Sequence, residues 1–128
     1  MKYYISKTIK ADFDQAEQLA RESLKNEGFG IIMEINVSQI LKDKIDVDFR
    51  KYKILGACNP GFAHKALLAE DKLGVLLPCN VIVQDLGNGL TEVAAMDPVS
   101  TMSVVENESL KVFAERIRES LVRAIEAL

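Results

Sequence analysis

The stretch "KILGACNPGFAHKAL", residues 53–67, decides the fold because it joins a predicted strand directly to a predicted helix. The apolar run over residues 52–57 is typical of a buried strand. Asn59 is a good N-cap, and Pro60 suits the first helical position, where a backbone N–H has no partner within the helix. The apolar positions that follow at helical spacing predict the buried side of this helix. They are Ala63, Ala66 and Leu67, with Phe62 as a further candidate.

Two strands are predicted downstream of this helix. The stretch "GVLLPCNVIV", residues 74–83, has the most buried composition in the chain, and its Pro78 predicts a bulge or an edge position because proline cannot donate a ladder hydrogen bond. The stretch "LGNGLTEVAAM", residues 86–96, predicts a hairpin, since Asn88-Gly89 suits a tight turn between two apolar arms. Strands joined in this way favour an antiparallel sheet.

Upstream, the pattern predicts a strand, a helix and a second strand. Alternating β-forming residues predict a strand at about residues 2–9. Asp12, with Gln15 three residues later, predicts a helix start, and Gly28 predicts its end. The next apolar run predicts a strand at about residues 29–37.

Two further segments complete the chain. Residues 38–48 are compatible with a helical turn or with a loop. The tail, roughly residues 103–127, is predicted as a helix, capped either by Ser103 with Glu106 or by Asn107 one turn later. Its apolar residues recur every three or four positions, as in a helix packed across a sheet. They are Leu110, Phe113, Ile117, Leu121, Ala124 and Leu128.

The predicted order of elements is β-α-β-β-α-β-β-α within a single domain covering residues 1–128. This order predicts an α+β fold with two layers, in which an antiparallel sheet of about five strands has helices packed on one face. Three helices packed on one face of the sheet leave the other face incompletely covered. A second copy of the chain would cover it, so we expect a homodimer.

The composition limits the possible partners and location. The chain has 128 residues, of which 48% are hydrophobic, and a formal net charge of -3 without a basic face, so nucleic acid is not an expected partner. Nothing in "MKYYISKTIK" indicates a signal peptide, and no apolar run reaches the roughly 20 residues needed to span a bilayer. We therefore expect a cytoplasmic protein whose two cysteines are free thiols.

The two cysteines are the first candidates for chemistry. Cys58 directly precedes the predicted helix start, where free N–H groups and the helix dipole would lower the pKa of a thiol or attract an anion. Cys79 follows Pro78, and a bulge there would re-aim its side chain toward a site. The alternative for both is an inert thiol packed in the core. Asn80 needs polar partners if it is buried.

A metal site is a weaker candidate. Cys58, Cys79 and His64 would provide three ligands for zinc, but their spacing matches no standard zinc motif, so His64 is as readily a solvent-facing or capping residue. Asp97 lies at the end of a predicted strand, a position where functional residues are common. It also precedes a proline, and aspartate in that position is an ordinary turn former. The chain has no nucleotide-binding or hydrolase motif, and no cofactor is indicated.

Three segments, "GACNP", "LLPCNV" and "AAMDP", resemble those of the domain of unknown function family 302, and the resemblance extends over nearly the whole chain. It implies a small bacterial or archaeal α+β domain, similar to half of the TATA-binding-protein fold, that forms a dimer. It implies no activity. The positions to which it directs attention are Cys58, Asn59, Pro60, Cys79, Asn80, Asp97 and Pro98.

These observations lead to a hypothesis of a small binding module. Its cleft would lie between the helix start at Asn59 and the strand at Cys79, and would accept a small anionic or thiol-reactive ligand. The predicted binding residues are Cys58, Asn59, Pro60, Gly61, Cys79, Asn80 and Asp97. The alternatives are a thiol-redox or thiol-transfer enzyme with Cys79 as the resolving thiol, a metal-binding protein, and a purely structural dimeric interaction domain.

Overall fold

The computed structural model describes residues 2–128. Its strands are β1 (Tyr4–Lys10), β2 (Gly30–Asn36), β3 (Tyr52–Cys58), β4 (Cys79–Gly87) and β5 (Leu90–Met96). Its α-helices are α1 (Phe13–Asn26), α2 (Val37–Ile45), α3 (Pro60–Ala69), the short α4 (Pro98–Thr101) and α5 (Ser109–Glu126). Two 3-10 helices, Asp71–Leu76 and Met102–Val104, follow α3 and α4.

The five strands form one antiparallel sheet in the order β1-β5-β4-β3-β2. The helices lie on one face of this sheet, so the predicted α+β fold with two layers is confirmed. The β4–β5 hairpin turns at Asn88 and Gly89, whose φ angles of 57° and 74° are those of the predicted two-residue turn. Within residues 2–128, no helix is both long enough and apolar enough to cross a membrane.

The main hydrophobic core lies between the sheet and helices α1 and α5. Alternate residues of β4, Cys79, Val81 and Val83, are buried in this core, as the two-residue period of a strand requires. A second hydrophobic cluster lies beside it and includes Ala66, Leu73, Met102, Leu110 and Ala114. The structure therefore has two adjacent apolar clusters on the helical side.

Helix α1 begins and ends as its sequence predicts. The Asp12 carboxylate accepts a hydrogen bond from the Gln15 N–H at 2.8 Å. At the other end Gly28 has φ of +86°, and the Phe29 N–H donates to the Leu24 carbonyl at 2.9 Å. This is a glycine-terminated helix end, in which the left-handed residue satisfies carbonyls that the helix leaves free.

Residues 38–48, which the sequence left open, are mostly helical. The Asn36 side chain accepts a hydrogen bond from the Gln39 N–H and caps α2, which ends at Ile45 and is followed by Asp46 in the left-handed conformation. None of the α2 residues is buried. The helix therefore has no buried apolar stripe that sequence periodicity would detect.

The tail helix is shorter than predicted. Helix α5 begins at Ser109 instead of near residue 103, because α4 and a 3-10 turn occupy the preceding segment. Asn107 caps α5, as its carboxamide oxygen accepts from the Ser109 N–H at 3.1 Å. The alternative capping box is absent from residues 103–106: the Ser103 hydroxyl instead donates to the Ser100 carbonyl.

Two predictions around Pro78 are wrong. Residues 74–77 are not part of a strand, since a 3-10 helix extends to Leu76 and β4 begins only at Cys79. Pro78 marks neither a bulge nor an edge, because Ala57 pairs with Cys79 in regular register and β4 lies between β3 and β5. A proline directly before the first ladder residue leaves every ladder N–H in place.

The sheet face away from the helices is open. It carries exposed apolar side chains such as Met33 and Leu86, which are 48% and 46% exposed. The homodimer that we expected from incomplete coverage of the sheet stays a prediction.

The contact between Gly56 and Pro78 gives a test of how β3 meets the start of β4. A Cβ atom at Gly56 would lie 2.8 Å from Pro78 Cγ and 3.1 Å from Met33 Cβ. We expect Gly56→Ala to lower the free energy of unfolding by about 1–3 kcal/mol, because overpacking forces neighbouring atoms to move. Urea unfolding followed by circular dichroism measures this change.

Gly30→Ala is the matched control, because a Cβ atom at Gly30 meets nothing within 4 Å. We expect this variant to unfold within about 1 kcal/mol of the unmodified protein, since alanine also restricts the unfolded chain. Equal unfolding midpoints for the two alanine variants would contradict the steric account of Gly56.

Candidate functional site

Helix α3 begins where the sequence predicts, immediately after β3. Asn59 has an extended backbone, and its side-chain oxygen accepts from the Phe62 N–H at 3.3 Å. Pro60 occupies the first turn, where its fixed φ fits the helix. The Asn59 side chain therefore satisfies one of the free N–H groups at the helix start, which we had expected to attract an anion.

The register of β3 against β4 brings the two cysteines to one end of the sheet. Ala57 pairs directly with Cys79, so Cys58, the next residue of β3, lies at the same end. The side chain of Cys79 faces the helices and is 5% exposed, whereas Cys58 is partly exposed. The two thiols are free and form no disulfide with each other.

Burial determines the acidity of Cys79. Removal from water, together with a smaller contribution from the nearby Cys58 thiol, raises the pKa of the Cys79 thiol to about 11. The thiolate form is disfavoured in a low-dielectric environment that provides no positive charge. Cys79 is therefore a protonated thiol at neutral pH, which is the opposite of an activated nucleophile.

Both cysteines line one open cavity of about 320 Å³, which we call the α3 cavity. Its side chains come mainly from β2, β3 and β4, from α3 and α5, and from the two 3-10 helices. The lining comprises Phe29, Ile32, Ala57, Cys58, Asn59, Phe62, Ala63, Ala66, Leu67, Leu73, Gly74, Leu77, Pro78, Cys79, Met102, Leu110, Phe113 and Ile117. Among the residues that the structure describes, no charged side chain lines this cavity.

The cavity lies between the two hydrophobic clusters. Ala57 and Ile117 belong to the main core, whereas Leu73 and Met102 belong to the second cluster, and all four contribute to the cavity wall. The sequence identified the apolar stripe of α5 as core residues, but not as the wall of a cavity. No local sequence signal identifies such a wall, because it forms only where separate elements fail to fill the space between them.

Four of the predicted binding residues lie outside the α3 cavity. Pro60 and Gly61 are exposed in the first turn of α3. Asn80 is also exposed, on the open face of the sheet, because it adjoins inward-facing Cys79 in a strand. As an exposed residue it does not need the buried partners that we considered for it.

Asp97 also lies outside the cavity and has a structural role. Its carboxylate accepts from the Val99 N–H at 3.0 Å, which caps α4, and from Arg118 Nε at 2.9 Å. Asp97 thus links the end of β5 to α5. Of the two interpretations of Asp97 from the sequence, the turn former is the one that agrees with these contacts.

The predicted metal site at Cys58, Cys79 and His64 is not supported. Within residues 2–128, no three His, Cys, Asp or Glu side chains are grouped closely enough to hold a metal ion. His64 is exposed on α3, two positions before buried Ala66. Residues two apart on a helix are separated by about 200°, so His64 points away from the side on which both cysteines lie.

One family model matches almost the whole chain. A family model described as "Domain of unknown function DUF302" matches residues 5–128. The chain belongs to the DUF302 family. The family description names no activity, and no curated protein matches this sequence.

A solved structure has the same fold. It is described as the crystal structure of an uncharacterized conserved DUF302 protein from Bacillus stearothermophilus. It is 27% identical in sequence, covers 98% of both chains and has a TM-score of 0.90. The family and the α+β fold predicted from the sequence are both confirmed by these comparisons.

The environment of Cys79 predicts slow alkylation. In a Cys58→Ala variant, Cys79 is the only thiol, and burial, the larger cause of its raised pKa, remains while the contribution of Cys58 is lost. We expect iodoacetamide to modify native Cys79 at least about tenfold more slowly than unfolded Cys79, because burial still keeps the pKa of the thiol above its usual value. The native rate should rise about tenfold per pH unit between pH 8 and 10, as the thiolate population grows.

Mass spectrometry of quenched samples measures these rates, and the same variant in guanidinium chloride provides the unfolded reference. A native rate at pH 8 equal to the unfolded rate would show that Cys79 is neither buried nor shifted in pKa.

Proposed function

We propose that the protein is a binding module that holds a small, uncharged and largely apolar molecule in the α3 cavity. The single observation behind this proposal is an open cavity of about 320 Å³ with no charged lining residue in the described chain. Ligand sites of small molecules are typically concave, mostly apolar and at least about 300 Å³ in volume.

The size and opening of the cavity distinguish it from a packing defect. Well-packed cores contain few voids larger than a water molecule. Two apolar side chains of the cavity lining, Ile32 and Leu67, are 62% and 39% exposed, so the cavity communicates with solvent. Covering these side chains with a ligand would remove apolar surface from water, at about 25 cal/mol per Å².

The lining also defines the chemistry of the ligand. An anion would find no lysine or arginine in the cavity, and the Phe62 N–H already donates to the Asn59 cap. An uncharged molecule loses less hydration on entering such a site than an ion does. We therefore replace the anionic ligand expected from the sequence with an uncharged one.

Cys58 remains the thiol at which a thiol-reactive ligand would attach. It lines the cavity and is only partly buried, whereas Cys79 is buried and protonated. The thiol-redox alternative lacks support, since Cys79 is a poor resolving thiol in this state. Two unbridged thiols agree with the reducing cytoplasm that we predict as the location.

Binding of N-phenyl-1-naphthylamine, a neutral apolar dye, tests the proposal. We expect saturable fluorescence enhancement with the unmodified protein. Ala63→Phe places an aromatic ring in the cavity and should weaken binding at least about tenfold, since the ring occupies space that the dye would use.

His64→Phe is the matched control, because it adds the same ring to the same helix outside the cavity and should leave binding unchanged. Methylthiolation of Cys58 in the unmodified protein narrows the cavity without a core substitution and should also weaken binding. Equal binding by the two phenylalanine variants, both folded by circular dichroism, would place the dye elsewhere and overturn the proposal.

The charge of the dye provides a second, independent test of the proposal. 8-Anilinonaphthalene-1-sulfonate differs from the neutral dye mainly in its sulfonate, and we expect it to bind more weakly because no lining cation compensates the charge. Tighter binding of the sulfonate would restore the anionic ligand and contradict our assignment.

A further inference from the structure

A second recess lies on the open face of the sheet, away from the α3 cavity. Its volume is about 480 Å³, and we call it the tyrosine trough because Tyr3, Tyr4 and Tyr52 all line it. These are the three tyrosines of the entire chain. Residues from distant parts of the sequence thus place every phenolic ring at one recess.

The register of the sheet forms the trough. In one row, Tyr52 pairs with Gln84 and Gln84 pairs with Glu92, so these three side chains share the open face. In the next row Ile82 pairs with Ala94, whose small side chain leaves space above the sheet for the trough. The trough therefore has an apolar floor, with aromatic and polar side chains along its length.

Glu92 gives the trough its charge. Among residues 2–128 it is the one charged side chain in the lining. Its carboxylate accepts a hydrogen bond from Gln84 Nε2 at 2.7 Å, and the Gln84 oxygen accepts from Arg50 Nε at 2.8 Å. Within the described chain Glu92 forms no salt bridge, so its negative charge is held in place by an amide and not neutralised.

One end of the trough carries a pair of tyrosine rings, one of which lies beside a cation. Tyr3 and Tyr4 meet edge to face, with ring centroids 5.1 Å apart and planes at 74°. The Lys2 ammonium already lies 5.8 Å from the centroid of the Tyr4 ring. Aromatic faces attract ammonium groups through their quadrupole, and a carboxylate adds to that attraction.

We propose that the tyrosine trough binds a small organic cation, an amine or quaternary ammonium with an apolar body. The cationic group lies at the end that holds Glu92 and Tyr52, and the apolar body covers Ala94 and Ile82. This binding is separate from that of the α3 cavity, because the two recesses are on opposite faces of the sheet and share no lining residue.

A second copy of the chain is the main competitor for this face. Covering the trough with another copy would take the Glu92 carboxylate out of water, which is strongly destabilising unless that copy places a cation against it. A small cation instead neutralises that carboxylate and leaves the rest of the face open. The charge at Glu92 thus favours the cation as the occupant.

Tyrosine fluorescence measures this binding directly, because the chain contains no tryptophan and all its tyrosines line the trough. The probe is choline, compared with its neutral isostere 3,3-dimethyl-1-butanol at constant ionic strength. We expect saturable choline binding and at least about tenfold weaker binding of the alcohol, since a cation over aromatic rings and beside a carboxylate gains more than an uncharged group of the same shape.

Glu92→Gln should lower choline affinity about tenfold, because it removes the carboxylate while retaining a similar shape. Glu106→Gln, an exposed position outside the trough, makes the same change in net charge and should leave affinity unchanged. Dye binding in the α3 cavity should be the same for both variants, so failure of one site does not imply failure of the other.

Three results would overturn the proposal. The first is equal affinity for choline and the neutral alcohol, and the second is an equal loss of affinity in the two glutamine variants. The third is a joint result: choline does not bind, and sedimentation velocity shows a dimer that Ala94→Glu dissociates. This result would assign the open face of the sheet to a second copy of the chain.

Discussion

The pairing of β3 with β4 is the constraint on which the rest of the structure depends. Ala57 opposite Cys79 fixes where β3 ends, and α3 can only begin after that residue. Pro78, immediately before this pair, packs on Gly56, which leaves room for its ring. A slip of one residue in this register would turn every side chain of β4 to the other face, so register, core and cavity are determined together.

The α3 cavity is a consequence of having two apolar clusters instead of one. The sheet, α1 and α5 form a continuous core, whereas α3, the 3-10 helix after it and α4 form a smaller cluster against the other end of α5. Asn107 donates from its side-chain amide to the Ala69 carbonyl at 2.9 Å and so fixes the end of α3 near the start of α5. With both ends of α3 held, the helix does not collapse onto the sheet, and the space between the clusters remains.

Local signals predicted most of the fold, and non-local packing accounts for what they missed. Caps at Asp12 and Asn59 and the turn at Asn88 depend on neighbours in sequence, so each was identified correctly. Helix α2 was left open between a helical turn and a loop because it buries nothing, and the position of Pro78 was misread because a proline before a strand and one within it have the same local pattern. The cavity wall combines residues from seven helices and strands, and no periodicity within one element reveals where another will lie.

The two Cys-Asn pairs show why the sequence could indicate the site but not assemble it. Cys79 and Asn80 are adjacent, and their composition suggested one shared cleft, but a strand alternates its faces at every residue. Cys79 therefore lines the α3 cavity and Asn80 lines the tyrosine trough on the opposite side. At the other pair, Asn59 lines the cavity but uses its side-chain oxygen to cap α3. The same strand period that separates these residues gives the sheet two chemically different faces, one with the buried Cys79 thiol and one with aromatic rings and a carboxylate.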